Sequence, residues 1–530
     1  MREHPIRQCS LGRISVAWFL FFLNILPANP VMAQDSTTLS DAILAPLKGL
    51  EAGGARVGAV FVKDGREVAV QNGDLRLNPA SVSKIFTAAV AVQLMGPDMR
   101  FPTVVSAIGD GPGIEVLLVT PGGDPTLEAA DIEALARCVR EKGVRFVGEL
   151  VVESGPFTSA SEPPAYDRKD TLAPYRAGVA ALQIDRGAVT LTVSAGRPGG
   201  PVNVALSSSS DRILVENGAI TSGNPPGPKA SIGGSGAKRN SATATSAAVG
   251  TKGPKGRNTR FALSATVDAD ARLVLKLTGT FVSRNPIVQS FRVPDPGGHA
   301  VGVFRRALAT AGVQVKDGPP LAAAPSGLRV LCTRKGPSLR EVLLPMLKDS
   351  INPIAEAVLR LAGAQSSGGK PVGFSEGARA LVSFLNQRVG IPAGSVGFSN
   401  GSGLYDANVV TARAAVSLVG WLRKNPVGEV VLQALPVSGV DGTLKRRLKG
   451  TSLEGHVRAK TGTLDDAVTL AGTVDLPGGG FVEFAVLANA PECRPEAQKR
   501  GRCRALDRFA ARKATDEALL QVWNAFAGPR

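Results

Sequence analysis

Ser81 and Lys84 stand three residues apart near the start of an apolar stretch, NPASVSKIFTAAVAVQLMG. Between Pro79 and Gly96, Ile85, Ala88, Ala89 and Val92 recur at helical spacing, which predicts a short buried helix. Residues i and i+3 of a helix share a face, so the Lys84 amine can reach the Ser81 hydroxyl. Lysine serves as a base when desolvation or nearby cations bring its pKa down toward neutrality. Ser81 falls in the first turn, where unpaired backbone N–H groups can hold a developing oxyanion. A serine and a lysine so placed suit acyl transfer.

Other bases are poorly supplied. The only histidines are His4, His299 in PDPGGHA and His456 in EGHVRAK, and neither later neighbourhood resembles a Ser-His-Asp triad. A Gly-x-Ser-x-Gly string at Gly397–Gly401 runs on into Ser402-Gly403, so it reads as a turn rather than a nucleophile elbow. His-x-x-x-His and Cys-x-x-Cys spacings are absent, and no metal or organic cofactor is expected. A hydrolase built from this chain needs a base other than histidine.

Ser-x-x-Lys recurs at Ser235–Lys238 and Ser367–Lys370, but in Gly/Ser-rich stretches without a helical pattern. Lys-Thr-Gly occurs once, at Lys460-Thr461-Gly462. On a strand edge such a lysine can hold a negative charge, while the glycine lets a substrate backbone approach. Ser-x-Asn occurs at Ser222–Asn224, Ser283–Asn285 and Ser350–Asn352. Only the last opens a helical pattern, PIAEAVLRLAG, where Asn352 before Pro353 is also a good N-cap.

Taken in order, PASVSK, KDSINPIAE and RAKTGTL resemble the three active-site motifs of the low-molecular-weight class C penicillin-binding proteins, the D-alanyl-D-alanine carboxypeptidase/endopeptidase family. GGDPTL at 122–127, NGSGLYDAN at 400–408 and SGVDGTLKRRL at 438–448 resemble further stretches of that family. The likeness runs through nearly all of the chain after the N-terminal segment. It implies that Ser81 is acylated and that Lys84 takes its proton. Ser350 and Asn352 would relay protons and orient substrate. Lys460, Thr461, Gly462 and Thr463 would form the substrate-binding edge, with the Ser81 and Thr463 N–H groups as oxyanion hole. Implied partners are peptidoglycan stem peptides and crosslinks, with β-lactams as inhibitors. Ile351 between Ser350 and Asn352, and Tyr405 where a small polar residue is expected, depart from the pattern. A serine β-lactamase would share the three motifs but lack the long insertion. A non-catalytic cell-wall-binding protein would have no need of the complete set.

The elements that must position these residues are legible in part. Ala55–Val70 reads as a hairpin. Helical spacing marks Leu339–Met346, Pro353–Leu361, Glu376–Val389, Ala412–Leu422 and Asp516–Phe526, and strand-like runs mark His456–Thr463, Val468–Leu476 and Phe481–Leu487. We therefore expect a transpeptidase/β-lactamase-like α/β domain, an antiparallel sheet with flanking helices, from residues 34–102 and 326–530. Residues 103–325 form a mainly β insertion with one clear helix, around Leu127–Val139, before a strand at Arg145–Val152. Within it, about 221–258 is rich in Gly, Ser, Pro, Ala and Lys and reads as a flexible loop.

A chain of 530 residues exceeds one hydrophobic core. Arg2, Arg7 and Arg13, the apolar run Ile14–Leu26 and Val31-Met32-Ala33 read as a signal peptide over residues 1–33, predicting secretion to the periplasm and a mature start at Gln34. Its removal takes three Arg and one Glu, so a net charge of +17 becomes +15. With export, that surplus suits anionic envelope polymers or membrane surfaces, or equally a proteome rich in basic proteins, rather than nucleic acid, and membrane contact is at most peripheral. Of the remaining cysteines, Cys138 reads as a core residue, while Cys493 and Cys503 flank a basic loop and are candidates to pair.

Overall fold

The computed structural model describes residues 31–158, 161–169, 171–223, 261–316, 327–492 and 505–527. Its central sheet has five antiparallel strands in the order Val457–Thr463, Ala467–Asp475, Phe481–Asn489, Arg56–Lys63 and Arg66–Gln71. The first hairpin thus pairs with the far end of the chain, Arg56 opposite Asn489. Strand alternation sorts side chains between two cores. Along Phe481–Asn489, Val482, Phe484, Val486 and Ala488 pack with Ile43, Leu47, Leu519 and Trp523 of the helices Val31–Ala52 and Arg508–Phe526. Ala485 and Leu487 face the other way, toward Ile85, Ile354 and Val416 of the helices Ser83–Met95, Asn352–Ser366 and Ala412–Lys424.

Every residue from Asn352 to Ala364 is buried, so the Asn352–Ser366 helix runs through the middle of a core. Its polar members Asn352, Glu356 and Arg360 must find partners inside the protein.

A second five-stranded sheet takes the order Gln314–Val315, Phe146–Val152, Gly113–Pro121, Thr103–Ile108 and Arg329–Arg334. Its parallel pair, Gly113–Pro121 with Phe146–Val152, is joined by the helix Ala129–Glu141. Arg329–Arg334 pairs with Thr103–Ile108, which carries this sheet past the expected boundary at 325. The helix Pro296–Thr310 is absent from the mainly β expectation. Asp295 caps it and Pro296 opens it, but glycines 297, 298 and 302 dilute its apolar stripe.

Two further differences concern cysteine and the segment starts. Cys138 is not a lone core residue but is disulfide-bonded to Cys332, 194 positions away. No local spacing encodes so remote a pairing. Cys493 and Cys503 lie outside the described residues, as do residues 224–260, most of the expected loop. Ile220–Thr221, at the edge of that segment, is a short strand paired with Thr280–Phe281. The expected signal segment is likewise outside the described residues except Val31–Ala33, which open the first helix. Among the described residues, no helix is long and apolar enough to cross a membrane.

Candidate active site

Ser81 sits in a short 3-10 turn, Ala80–Val82, that leads directly into the Ser83–Met95 helix. Ser81 therefore precedes the α-helix, which begins at Ser83, instead of lying in its first turn as expected. The turn is tied to the central sheet. Asn78 N–H donates to Asn489 Oδ1 at 2.7 Å, Asn489 Nδ2 donates to Asn78 O at 3.0 Å, and Thr469 Oγ1 donates to Pro79 O at 2.7 Å. Ala80 holds φ 45°, a left-handed conformation that costs an L-residue energy and persists only where surroundings over-determine it.

Lys84 is fully buried, and its Nζ lies 3.0 Å from Ser81 Oγ, 2.7 Å from Asn352 Oδ1 and 2.9 Å from Ser402 O. Burial disfavours its charged form and lowers its pKa to about 7, against the opposing pull of Glu356. A neutral amine has two N–H bonds and one lone pair. The two carbonyl oxygens take the N–H groups, which leaves the lone pair for the Ser81 hydroxyl.

Asn352 is the first residue of its helix rather than the N-cap, which is Ile351. Its side chain is turned inward instead: Nδ2 donates to Tyr175 O at 3.0 Å, so Oδ1 faces Lys84. Ser350 just before it adopts φ 62°. Its Oγ accepts from Lys460 Nζ at 2.9 Å, and Lys460 also donates to Thr461 O at 2.8 Å. Lys460 is fully buried, and desolvation, then the charge of Lys84, hold its pKa well below the usual lysine range.

The strand Val457–Thr463 is the edge of the central sheet and runs beside the Ser81 turn. A Cβ on Gly462 would lie 2.1 Å from Thr469 Oγ1 and 2.9 Å from both Ala80 Cβ and Pro79 O. Only glycine permits that approach. Thr461 Oγ1 donates to Thr443 Oγ1 at 2.7 Å, and Arg512 Nη2 reaches Thr463 Oγ1 at 3.3 Å. A cleft of about 520 Å³ opens from Ser350, Ile351 and Asn352 toward Tyr175, Glu128 and Asp185 of the insertion.

Hydrogen bonds thus join Ser81, Lys84 and Asn352 in one set and Ser350 with Lys460 in another, and the charge of Lys84 is felt at Lys460. The alternatives join neither set. His299 is buried between Ser208 and Ser210, and desolvation brings its pKa down to about 4. His456 packs on Trp523. Gly397–Gly401 forms a turn whose Ser399 and Asn400 N–H groups donate to Asn408. Ser283 bonds only its own turn at Asn285, and Ser367 ends a helix. Ser235, Lys238 and Asn224 lie outside the described residues.

Sequence reasoning missed Glu356, Tyr166 and Ser402, which stand behind Lys84. Glu356 is one turn beyond Asn352 on a helix otherwise almost wholly apolar, a polar stripe that could have flagged it. Ser402 lies within the family-like stretch NGSGLYDAN, which marked its loop but not its role, and Tyr166 arrives from a remote loop that carried no signal.

An antiparallel sheet covered on both faces, with a serine–lysine pair where a buried helix meets the sheet edge, defines a transpeptidase-like α/β enzyme. The sequence matches the D-Ala-D-Ala carboxypeptidase 3 (S13) family over residues 40–243 and 262–513, and the chain belongs to that family. A D-alanyl-D-alanine carboxypeptidase of Actinomadura sp. (strain R39) is 30% identical over 492 residues, 88% of this chain and 84% of the relative. The D-alanyl-D-alanine carboxypeptidase DacB of Haemophilus influenzae is 24% identical over 486 residues, 90% and 93% of the two chains. The crystal structure of penicillin-binding protein 4 (dacB) from Haemophilus influenzae shares the fold. Its TM-score is 0.69 at 22% identity, covering 90% of this chain and 98% of that one. The protein is accordingly a serine-type D-alanyl-D-alanine carboxypeptidase.

Proposed function

We propose that Ser81 is the acylated nucleophile and Lys84 its base, acting on peptidoglycan stem peptides and crosslinks. The observation that carries this reading is the Lys84 amine, buried and 3.0 Å from Ser81 Oγ, with carbonyl oxygens taking its other contacts. Ser81 Oγ bonds to the carbonyl carbon of the penultimate D-residue as its proton passes to Lys84. The backbone N–H groups of Ser81 and Thr463 hold the oxyanion. The C–N bond then breaks, and the leaving amine takes its proton through Ser350, which Lys460 holds. Water attacks the ester in the reverse sense, returning the hydroxyl to Ser81. Asn352 keeps Lys84 in place, and Lys460, Thr461 and Thr463 receive the terminal carboxylate.

The chain works as a catalytic unit from about 34–102 and, once the Arg329–Arg334 strand is counted with the insertion, from about 335 onward, interrupted by subdomains that wall the cleft beside Ser350. It is exported, and its partners are cell-wall peptides, with β-lactams as inhibitors. The Cys138–Cys332 disulfide supports an oxidising compartment, and a penicillin-binding protein 4 from Haemophilus influenzae has been solved complexed with a β-lactam. Mass spectrometry after incubation with labelled penicillin tests the assignment. One adduct, on a peptide containing Ser81 and absent from Ser81→Ala, is expected; an adduct at Ser367 or Ser399 would overturn it.

A further inference from the structure

Beneath Lys84 lies a carboxylate that no step above uses. Glu356 is fully buried. Its Oε2 accepts from Gly401 N at 2.9 Å, and its Oε1 accepts from Ser402 N at 2.9 Å and from Tyr166 Oη at 3.2 Å. Two backbone N–H groups and a phenol aimed at both oxygens are the surroundings of an ionised carboxylate, although burial itself raises its pKa. The two residues whose N–H groups bind Glu356 present their own carbonyls to the nucleophile helix. Ser402 O accepts from Lys84 Nζ at 2.9 Å and Gly401 O from Thr87 Oγ1 at 2.8 Å. Gly403, next along, approaches Ala80 so closely that a Cβ there would overlap Ala80 O. One carboxylate therefore fixes the loop that forms the back wall of the Ser81–Lys84 pair.

We infer that Glu356 is a positioning residue that acts through Lys84: it clamps the Asn400–Leu404 loop against the lysine and sets, by its charge, the proton affinity of the amine. The inference rests on the reading of Lys84 as base. The charged groups around Lys84 are few. Glu356 attracts its proton, and the charge of Lys84 is in turn felt at Lys460 on the sheet edge, whose own proton it disfavours. Tyr166 lies on the far side of Glu356, and Arg360, one turn further along the same helix, also feels the carboxylate. Removing the negative charge must therefore make Lys84 easier to deprotonate, whatever else it disturbs.

The experiment is the rate of acylation by a fluorescent penicillin between about pH 5 and 9, with folding checked by thermal melting. In the full mature protein, Glu356→Gln should move the acid limb down by about one pH unit. Its plateau rate should fall at least about tenfold, because the Gly401 contact is lost. Glu356→Asp should lower the plateau yet keep the limb within a few tenths of a unit of wild type. A folded Glu356→Gln with its limb unmoved overturns the proposal and leaves the lysine base standing. A wild-type profile without an acid limb near neutrality overturns the lysine base and this proposal with it. If Glu356→Gln does not fold, Tyr166→Phe serves instead. Losing the phenol's positive end leaves the carboxylate less compensated, so the limb should move up. A limb that stays or moves down overturns the proposal.

Discussion

Lys84 Nζ and Asn352 Oδ1 lie 2.7 Å apart although 268 positions separate them in the chain. That contact joins the first helix after the N-terminal hairpin to the second helix after the insertion. It explains why Asn352 gives up the N-cap: with Nδ2 on Tyr175 O, its oxygen has one direction left, toward the lysine. Asn352→Ala should leave Lys84 with one carbonyl contact fewer in a buried site. The cost to stability is about 1–3 kcal/mol, read from urea unfolding, with penicillin acylation slowed by tenfold or more. Unchanged acylation would show that Asn352 only packs.

Lys84 with a pKa near 7 sets a pH profile. The base works in its neutral form, so acylation should rise about tenfold per pH unit below neutrality and level off above about pH 7. Lys84→Ala should abolish acylation, whereas His299→Ala and His456→Ala should retain most of it. A dead histidine variant with an active Lys84→Ala would refute the mechanism.

How far these arrangements were legible depended on sequence distance. The Ser81–Lys84 pair needed only helical spacing, and the three C-terminal strands showed as strand-like runs, two of them buried along nearly their whole length. Glu356 was within reach, since Asn352, Glu356 and Arg360 repeat every four residues on a buried helix. Tyr166 was not, and for Ser402 the family-like stretch NGSGLYDAN marked the loop without its role, because each depends on a path set by tertiary contacts. The same holds for Cys138, whose helix periodicity speaks for burial but says nothing of a strand 194 positions on. The Pro296–Thr310 helix shows a third case, where cap and proline were correct signals but glycines blurred the stripe.

Cys138–Cys332 ties the Ala129–Glu141 helix to the Arg329–Arg334 strand, away from the Ser81 cleft. Cys138→Ser should cost about 2–4 kcal/mol in urea unfolding. Acylation by penicillin at 25 °C should stay near the wild-type rate. A variant of native stability with slow acylation would place the disulfide in the catalytic apparatus instead.

Gly462 lets the edge strand touch the Ser81 turn. Gly462→Ala would drive a methyl group into Thr469 Oγ1, Ala80 Cβ and Pro79 O, two of them parts of the turn itself. A displacement of about 1 Å between Ser81 and the strand edge should slow acylation on the order of a hundredfold. Thr469→Ala, which frees the tightest contact, should recover part of that loss in the double variant. No recovery would mean that the glycine is needed for substrate approach rather than for the turn.

Lys460 presents the sharpest test of substrate choice. It is fully buried, held by Ser350 Oγ and Thr461 O, and shares the edge strand with Thr461 and Thr463. A terminal carboxylate arriving at that edge would meet both hydroxyls beside the Lys460 amine, and its own negative charge would favour the protonated form and charge-assisted bonds. Lys460→Ala should therefore weaken acylation by carboxylate-bearing peptides and β-lactams more than by a carboxyl-amidated peptide of equal length. Losing one such contact should cost on the order of 1.5–3 kcal/mol in kcat/KM for the charged substrate. The amidated peptide should feel only the disturbance of Ser350. Thr461→Val, which removes a hydroxyl but leaves the lysine, should show the same charged-over-amidated pattern at smaller size. Equal losses on both peptides would show that Lys460 serves Ser350 alone, with the carboxylate read elsewhere along the edge.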